Sequence, residues 1–155
     1  MPSVVISEEE FEAILADPDK VIEGDLVWSR DEFGSPALEF RVEIRSGAGY
    51  PIFVVGRFNP KAGKLSYALI HQEAGRIYAL DLGAGHHNPG CERLGDTHKH
   101  RWTDEFRDKQ AYVPPDITAR WDDPVGAWQQ FCREANIRHD GRLLAPPPSQ
   151  RELFL

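Results

Sequence analysis

Hydrophobic positions along the chain change period twice. From Ser7 to Ala16 the apolar residues Phe11, Ile14 and Leu15 recur at helical spacing. Ahead of them Ser7-Glu8-Glu9-Glu10 is a capping box, with the serine hydroxyl placed for the Glu10 backbone N–H and the Glu10 carboxylate placed to reach back. Ile6 and Phe11 stand at staple spacing, and Asp17-Pro18-Asp19 ends the helix. Residues 21–82 then read as strands. Leu38, Phe40, Val42 and Ile44 alternate with Glu39, Arg41, Glu43 and Arg45, which predicts a strand wetted on one face. Ile52-Phe53-Val54-Val55 is a continuous apolar run suited to a central strand. Asn59-Pro60-Lys61-Ala62-Gly63 turns the chain into Leu65–Ile70, and Glu73-Ala74-Gly75 turns it again into Ile77–Leu82. Leu26-Val27-Trp28 predicts an earlier strand. Turns this short between consecutive strands imply an antiparallel meander.

Beyond residue 82 the pattern changes again. Residues 96–103 alternate in character, which predicts a short strand with Asp96, His98, His100 and Trp102 on one face and Thr97, Lys99, Arg101 and Thr103 on the other. Ala111-Tyr112-Val113 is placed to pair beside it. Asp123 as N-cap and Pro124 at the first helical position open a second helix over 123–136, whose predicted buried face is Val125, Trp128, Phe131, Cys132 and Ala135. Leu143–Leu155 reads as an extended tail, its Pro146-Pro147-Pro148 favouring polyproline II. The expected fold is α+β: one domain over residues 1–145, a curled antiparallel meander of about six strands with two packed helices, and a proline-rich tail over 146–155.

Composition places few limits on this picture. A chain of 155 residues with 41% hydrophobic and 28% charged side chains has the make-up of an ordinary globular domain. No apolar run approaches the roughly 20 residues that span a bilayer, and residues 1–10 lack the basic and apolar regions of a signal peptide, so a cytoplasmic location without membrane partners is expected. Cys91 and Cys132 form no C-x-x-C pair; Cys132 is expected to be a buried core thiol and Cys91 a loop residue. The net charge of −7 argues against strong non-specific nucleic-acid binding by the molecule as a whole. Charge is uneven, however. Residues 1–40 carry 11 acidic and 2 basic side chains, whereas residues 41–113 carry 8 and 11 and hold five of the six histidines.

Four histidines fall in the stretch Gly85-His86-His87-Asn88-Pro89 to His98-Lys99-His100-Arg101-Trp102, and this is where chemistry is expected. Histidine titrates nearest neutrality and is the commonest metal ligand. In the preferred reading His87, His98 and His100 exchange protons at a phosphodiester, which needs one group to activate the nucleophile and another to protonate the leaving oxygen. His98 and His87 form the acid–base pair and His100 orients or substitutes for one of them. Asn88, Trp102 and Tyr112 contact substrate, and Arg101 or Lys109 supplies the positive charge that phosphoryl oxygens require. A straight strand puts Lys99 and Arg101 opposite the histidines, so this reading requires a bulge or a cation from elsewhere. The expected activity is that of an RNase-like toxin or a phage or mobile-element nuclease, with no cofactor.

Two other chemistries compete with it. His87, His98, His100 and Glu105 could hold a divalent transition metal, because imidazoles joined by a carboxylate make a recurrent open site. His98-Lys99-His100 followed by Glu105 resembles the first metal motif of cupins, but the strand-rich second half and the later histidine of that pattern are missing. Alternatively the segment recognises RNA or a protein partner, making the chain a non-enzymatic binding protein or inhibitor. A purely structural reading has the histidines capping turns around a glycine-rich loop. Oligomeric state is left open by the sequence.

The run Leu80-Asp81-Leu82-Gly83, His87-Asn88-Pro89, Leu94-Gly95, His98-Lys99-His100 and Ala111-Tyr112 resembles the central motif of an uncharacterised bacterial and phage-associated family. The likeness covers about a quarter of the chain. It departs from the family's alanine-tyrosine-proline at Val113, which stands before Pro114. It implies that His87, Asn88, His98, His100, Ala111 and Tyr112 belong to one unit, and it brings no activity with it. The mobile-element association favours nuclease or host-interaction roles.

Overall fold

The computed structural model describes residues 6–30, 36–83 and 119–147, and the backbone of 86–87, 93–94, 97–101 and 111–112. Helix α1 (Glu8–Ala16) starts as its capping box predicts: the Ser7 Oγ accepts the Glu10 N–H at 3.0 Å. The return contact runs through the side chains, the Ser7 hydroxyl donating to Glu10 Oε1 at 3.3 Å. Ile6 and Phe11 are both buried in the core, as a staple requires. The end of α1 has no basic residue in its last turn. Its carbonyls are taken instead by the Lys20 ammonium, which donates to Ile14 O at 2.7 Å, Leu15 O at 3.1 Å and also Asp17 O. The Asn136 side-chain amide adds a 3.0 Å bond to Leu15 O.

The chain then passes through β1 (Lys20–Glu23), β2 (Ser29–Arg30), β3 (Leu38–Glu43), β4 (Arg45–Ser46), β5 (Ile52–Asn59), β6 (Lys64–His71) and β7 (Gly75–Leu82). After these come β8 (His86–His87), β9 (Arg93–Leu94), β10 (Thr97–Arg101), β11 (Ala111–Tyr112), helix α2 (Pro124–Glu134) and β12 (Ile137–Asp140). The main sheet runs β11-β10-β7-β6-β5-β3-β2 with every neighbouring pair antiparallel, which is the expected meander. Its turns obey their sequence. The Asn59 Oδ1 accepts the Ala62 N–H at 3.0 Å, and Gly75 takes φ 87° where a side chain would be strained. Both helices pack on one face. Trp128 and Phe131 of α2 lie 5.1 and 5.8 Å from the Tyr67 ring, and Phe11 of α1 lies 6.4 Å from Tyr78. Burying a side chain of this size contributes about 2 kcal/mol.

The structure departs from the sequence reading at four places. Strands occur at 20–23 and 29–30 rather than over Leu26–Trp28; Leu26 makes a single bridge to Leu143, Val27 is exposed and Trp28 is buried. The alternation from Leu38 to Arg45 does not make one strand, because the chain leaves the main sheet at Ile44 and Arg45–Ser46 joins a second sheet of order β12-β1-β4. In that sheet β1 and β12 are parallel, an arrangement no local turn predicts. The predicted tail also begins later than its sequence suggests: Leu143 is buried, and the Leu144 N–H donates to Leu26 O at 3.0 Å. In α2 the Asp123 side chain accepts the Gly126 N–H and Pro124 opens the helix as expected, but Ala127 rather than Val125 completes the buried face.

Candidate functional site

Strand β10 carries two of the singled-out histidines into the main sheet. It pairs with β7 over five consecutive residues without a register shift, setting His98 opposite Asp81, Lys99 opposite Leu80, His100 opposite Ala79 and Arg101 opposite Tyr78. Residues directly opposite on antiparallel strands share a sheet face, with Cβ atoms typically about 4.5–5.5 Å apart. His98 therefore belongs to the cross-strand row that continues through Asp81, Ser66, Arg57 and Glu39. This row is the wetter one: Asp81, Ser66 and Glu39 are half-buried, Arg57 is exposed, and Arg57 Nη1 lies 3.7 Å from Glu39 Oε2. His100 falls in the next row of the same face, with Ala79 and Ala68.

Lys99 and Arg101 hold the alternate rows, those of Leu80 with Tyr67 and of Tyr78 with Leu69, whose members are buried under the helices. The conflict anticipated from the sequence therefore persists in the backbone, since no bulge brings either cation to the histidine rows. Ala111 is in register with His100 and Tyr112 with Lys99. His87 sits in a separate short hairpin, opposite Arg93, with His86 opposite Leu94. Asn88, Cys91, Trp102, Glu105 and Lys109 lie outside the described residues.

The two remaining histidines are accounted for by structure. The His71 Nδ1 accepts the N–H groups of Glu73 and Ala74, both at 3.2 Å, and so caps the β6–β7 turn. The His139 Nδ1 accepts the Trp128 Nε1–H at 3.0 Å, which leaves its Nε2–H to donate to Gly24 O at 2.8 Å. Neither was marked by the sequence as functional, and each ring is hydrogen-bonded within the fold, His71 through Nδ1 and His139 through both nitrogens.

Asp81, in register with His98, is not among the candidates named from the sequence. Its signals in the sequence were a carboxylate at a strand position flanked by leucines, Leu80-Asp81-Leu82, and its place in the run that carries the family resemblance. Its relation to His98 depends on pairing across 17 residues, which spacing alone does not reveal. Among the described residues no three His, Cys, Asp or Glu side chains converge as a metal site, and no helix is long and apolar enough to cross a membrane. Cys132 is buried as expected, and burial pushes its thiol up to about 12. Burial likewise raises the Tyr67 phenol well above its ordinary range, and its hydroxyl donates to Pro124 O at 2.6 Å.

Fold and site together define an α+β protein: an antiparallel meander with two helices on one face and a histidine-bearing strand near one end of the sheet. The chain belongs to DUF6978, a family of unknown function, whose model matches residues 6–137. That range takes in α1, the whole meander, the histidine segment and α2. No curated protein and no solved structure matches the chain.

Proposed function

We propose that the protein is a small phosphodiester-acting hydrolase of RNase type, working by general acid–base chemistry with His98 at its centre. The observation that supports this is the register of Asp81 with His98. A carboxylate beside an imidazole fixes its tautomer and stabilises the imidazolium formed when the ring takes a proton. In this scheme Asp81 orients His98, which removes the proton from the attacking hydroxyl. His87 protonates the leaving oxygen, and His100 serves as the neighbour that substitutes for or positions one of them. Asn88, Trp102 and Tyr112 contact the substrate. Lys109, or Arg101 through its long side chain, supplies the charge on the phosphoryl oxygens. Such an enzyme suits a toxin or mobile-element nuclease and needs no cofactor.

Incubating the purified chain with mixed RNA tests the scheme. His98→Gln and His87→Ala are each expected to slow cleavage by about 10²-fold or more, the usual worth of a positioned acid or base. Asp81→Asn is expected to give a smaller loss together with a displaced pH–rate profile, which a merely structural role would not produce. RNA bound without turnover, or cleavage equal in wild type and His98→Gln, would remove the catalytic reading and leave recognition.

A further inference from the structure

Away from the histidine strand, a cleft of about 510 Å³ lies between α2 and the β12 segment. One wall is a helical stripe that includes Trp128, Cys132 and Arg133, and the other follows the chain through Ile137 and on to Arg142 and Leu143. The volume lies within the roughly 300–1,000 Å³ range of small-molecule sites. Its floor is apolar, because Trp128, Ile137 and Leu143 are core residues and the raised Cys132 thiol stays protonated. His139 also lines it, but both ring nitrogens are already bonded within the fold. The exposed Gln129 amide also lines the cleft, and its charged groups are Arg133 and Arg142, both exposed.

Nearby Arg138 is paired with Asp140, and Arg120 with Asp122. The guanidinium groups of Arg133 and Arg142 form no ion pair among the described residues, the Asp25 carboxylate accepting the Arg142 backbone N–H at 2.9 Å instead, although the chain carries 25 acidic side chains against 18 basic ones. An apolar floor with unneutralised guanidinium groups at its rim matches a ligand with an apolar body and one anionic end. Guanidinium is the side chain best suited to a carboxylate, which it can hold through two parallel hydrogen bonds.

We propose that this cleft is a binding site for a small apolar carboxylate, its hydrocarbon part against Trp128, Ile137 and Leu143 and its carboxylate on Arg133 or Arg142. The site is separate from the histidine strand, so it stands whether or not the chain cleaves RNA.

Calorimetric titration of the full chain with decanoate, decanol and decyltrimethylammonium tests it. Decanoate is expected to bind saturably and at least tenfold more tightly than the cation of equal chain length. The double variant Arg133→Gln/Arg142→Gln changes two exposed side chains, and circular dichroism checks that it keeps its fold. It is expected to weaken decanoate binding tenfold or more while leaving decanol unchanged. Filling the floor with Cys132→Phe is expected to weaken both. No saturable decanoate binding up to about 1 mM, or equal binding by the double variant, would overturn the proposal. Uptake of an acidic apolar peptide without decanoate binding, or a dimer that the double variant abolishes, would also overturn it and give the cleft to a macromolecular partner.

Discussion

Lys20 is fully buried, and its ammonium replaces the missing C-terminal cap of α1. Desolvation lowers its pKa from 10.5 to about 8, against the opposing pull of Asp17. A pKa depressed on folding contributes stability that is present above the unfolded value and lost as pH falls through the folded one. Stability should therefore rise between about pH 8 and 10.5, where the unfolded chain holds the proton that the folded chain has released. Cys132 acts in the opposite sense. Its pKa is raised from 9.0 to about 12, so its contribution is complete below pH 9 and is lost as pH climbs toward 12. Urea melts across pH 7–11 separate the two. The stability difference between wild type and Lys20→Met should grow from pH 8 upward, and that between wild type and Cys132→Ala should shrink above pH 9. Flat differences would show that neither group carries its charge penalty in the folded state.

At the scale of elements, β3 and β5 show how much a residue pattern conveys. Leu38 and Phe40 were legible as core positions and are buried. What the pattern hid is why Gly56 interrupts β5. Phe40 and Gly56 are directly opposite, and a Cβ on Gly56 would stand 2.2 Å from the Phe40 ring. That ring cannot withdraw, being held at 4.9 Å from Trp28 and 5.5 Å from Trp128 in edge-on contacts. Gly56→Ala should accordingly destabilise the protein by about 1–3 kcal/mol, as overpacking of a filled core does. Adding Phe40→Leu should recover part of that loss, and a double-mutant cycle with no coupling would disprove the packing account. The β5-β6-β7 part of the meander was readable because its two turns are local. The split at Ile44 was not, because the polar and apolar alternation continues through it and only the partner of each half differs.

For the whole molecule the decisive contact is the parallel pairing of β1 with β12, which joins residues 20–23 to residues 137–140. The bridge between Leu26 and Leu143 and the bond from Leu144 N–H to Leu26 O prolong it. A chain ending at Asn136 loses the buried side chains of Ile137 and Leu143, each worth about 2 kcal/mol, and leaves β1 unpaired on one side. Its melting temperature should fall by roughly 10 °C or more, and an unchanged melt would show the second sheet to be dispensable. The same scale governs the candidate site. That His98 and His100 share a strand face was legible from alternation alone, while the pairing of His98 with Asp81 needed the sheet.

Residue order by itself determined both helices, the strands β5, β6, β7 and β10 and the antiparallel direction of the main sheet, since caps, turns and periodicity act over a few neighbouring positions and need no distant partner. Tertiary structure alone decided which strands change sheets, that a lysine outside α1 caps it, that Asp81 stands beside His98, and that a cleft opens between α2 and β12. Each of these joins positions whose proximity is set by burial and hydrogen-bond closure of the whole chain, and no local pattern encodes such a meeting.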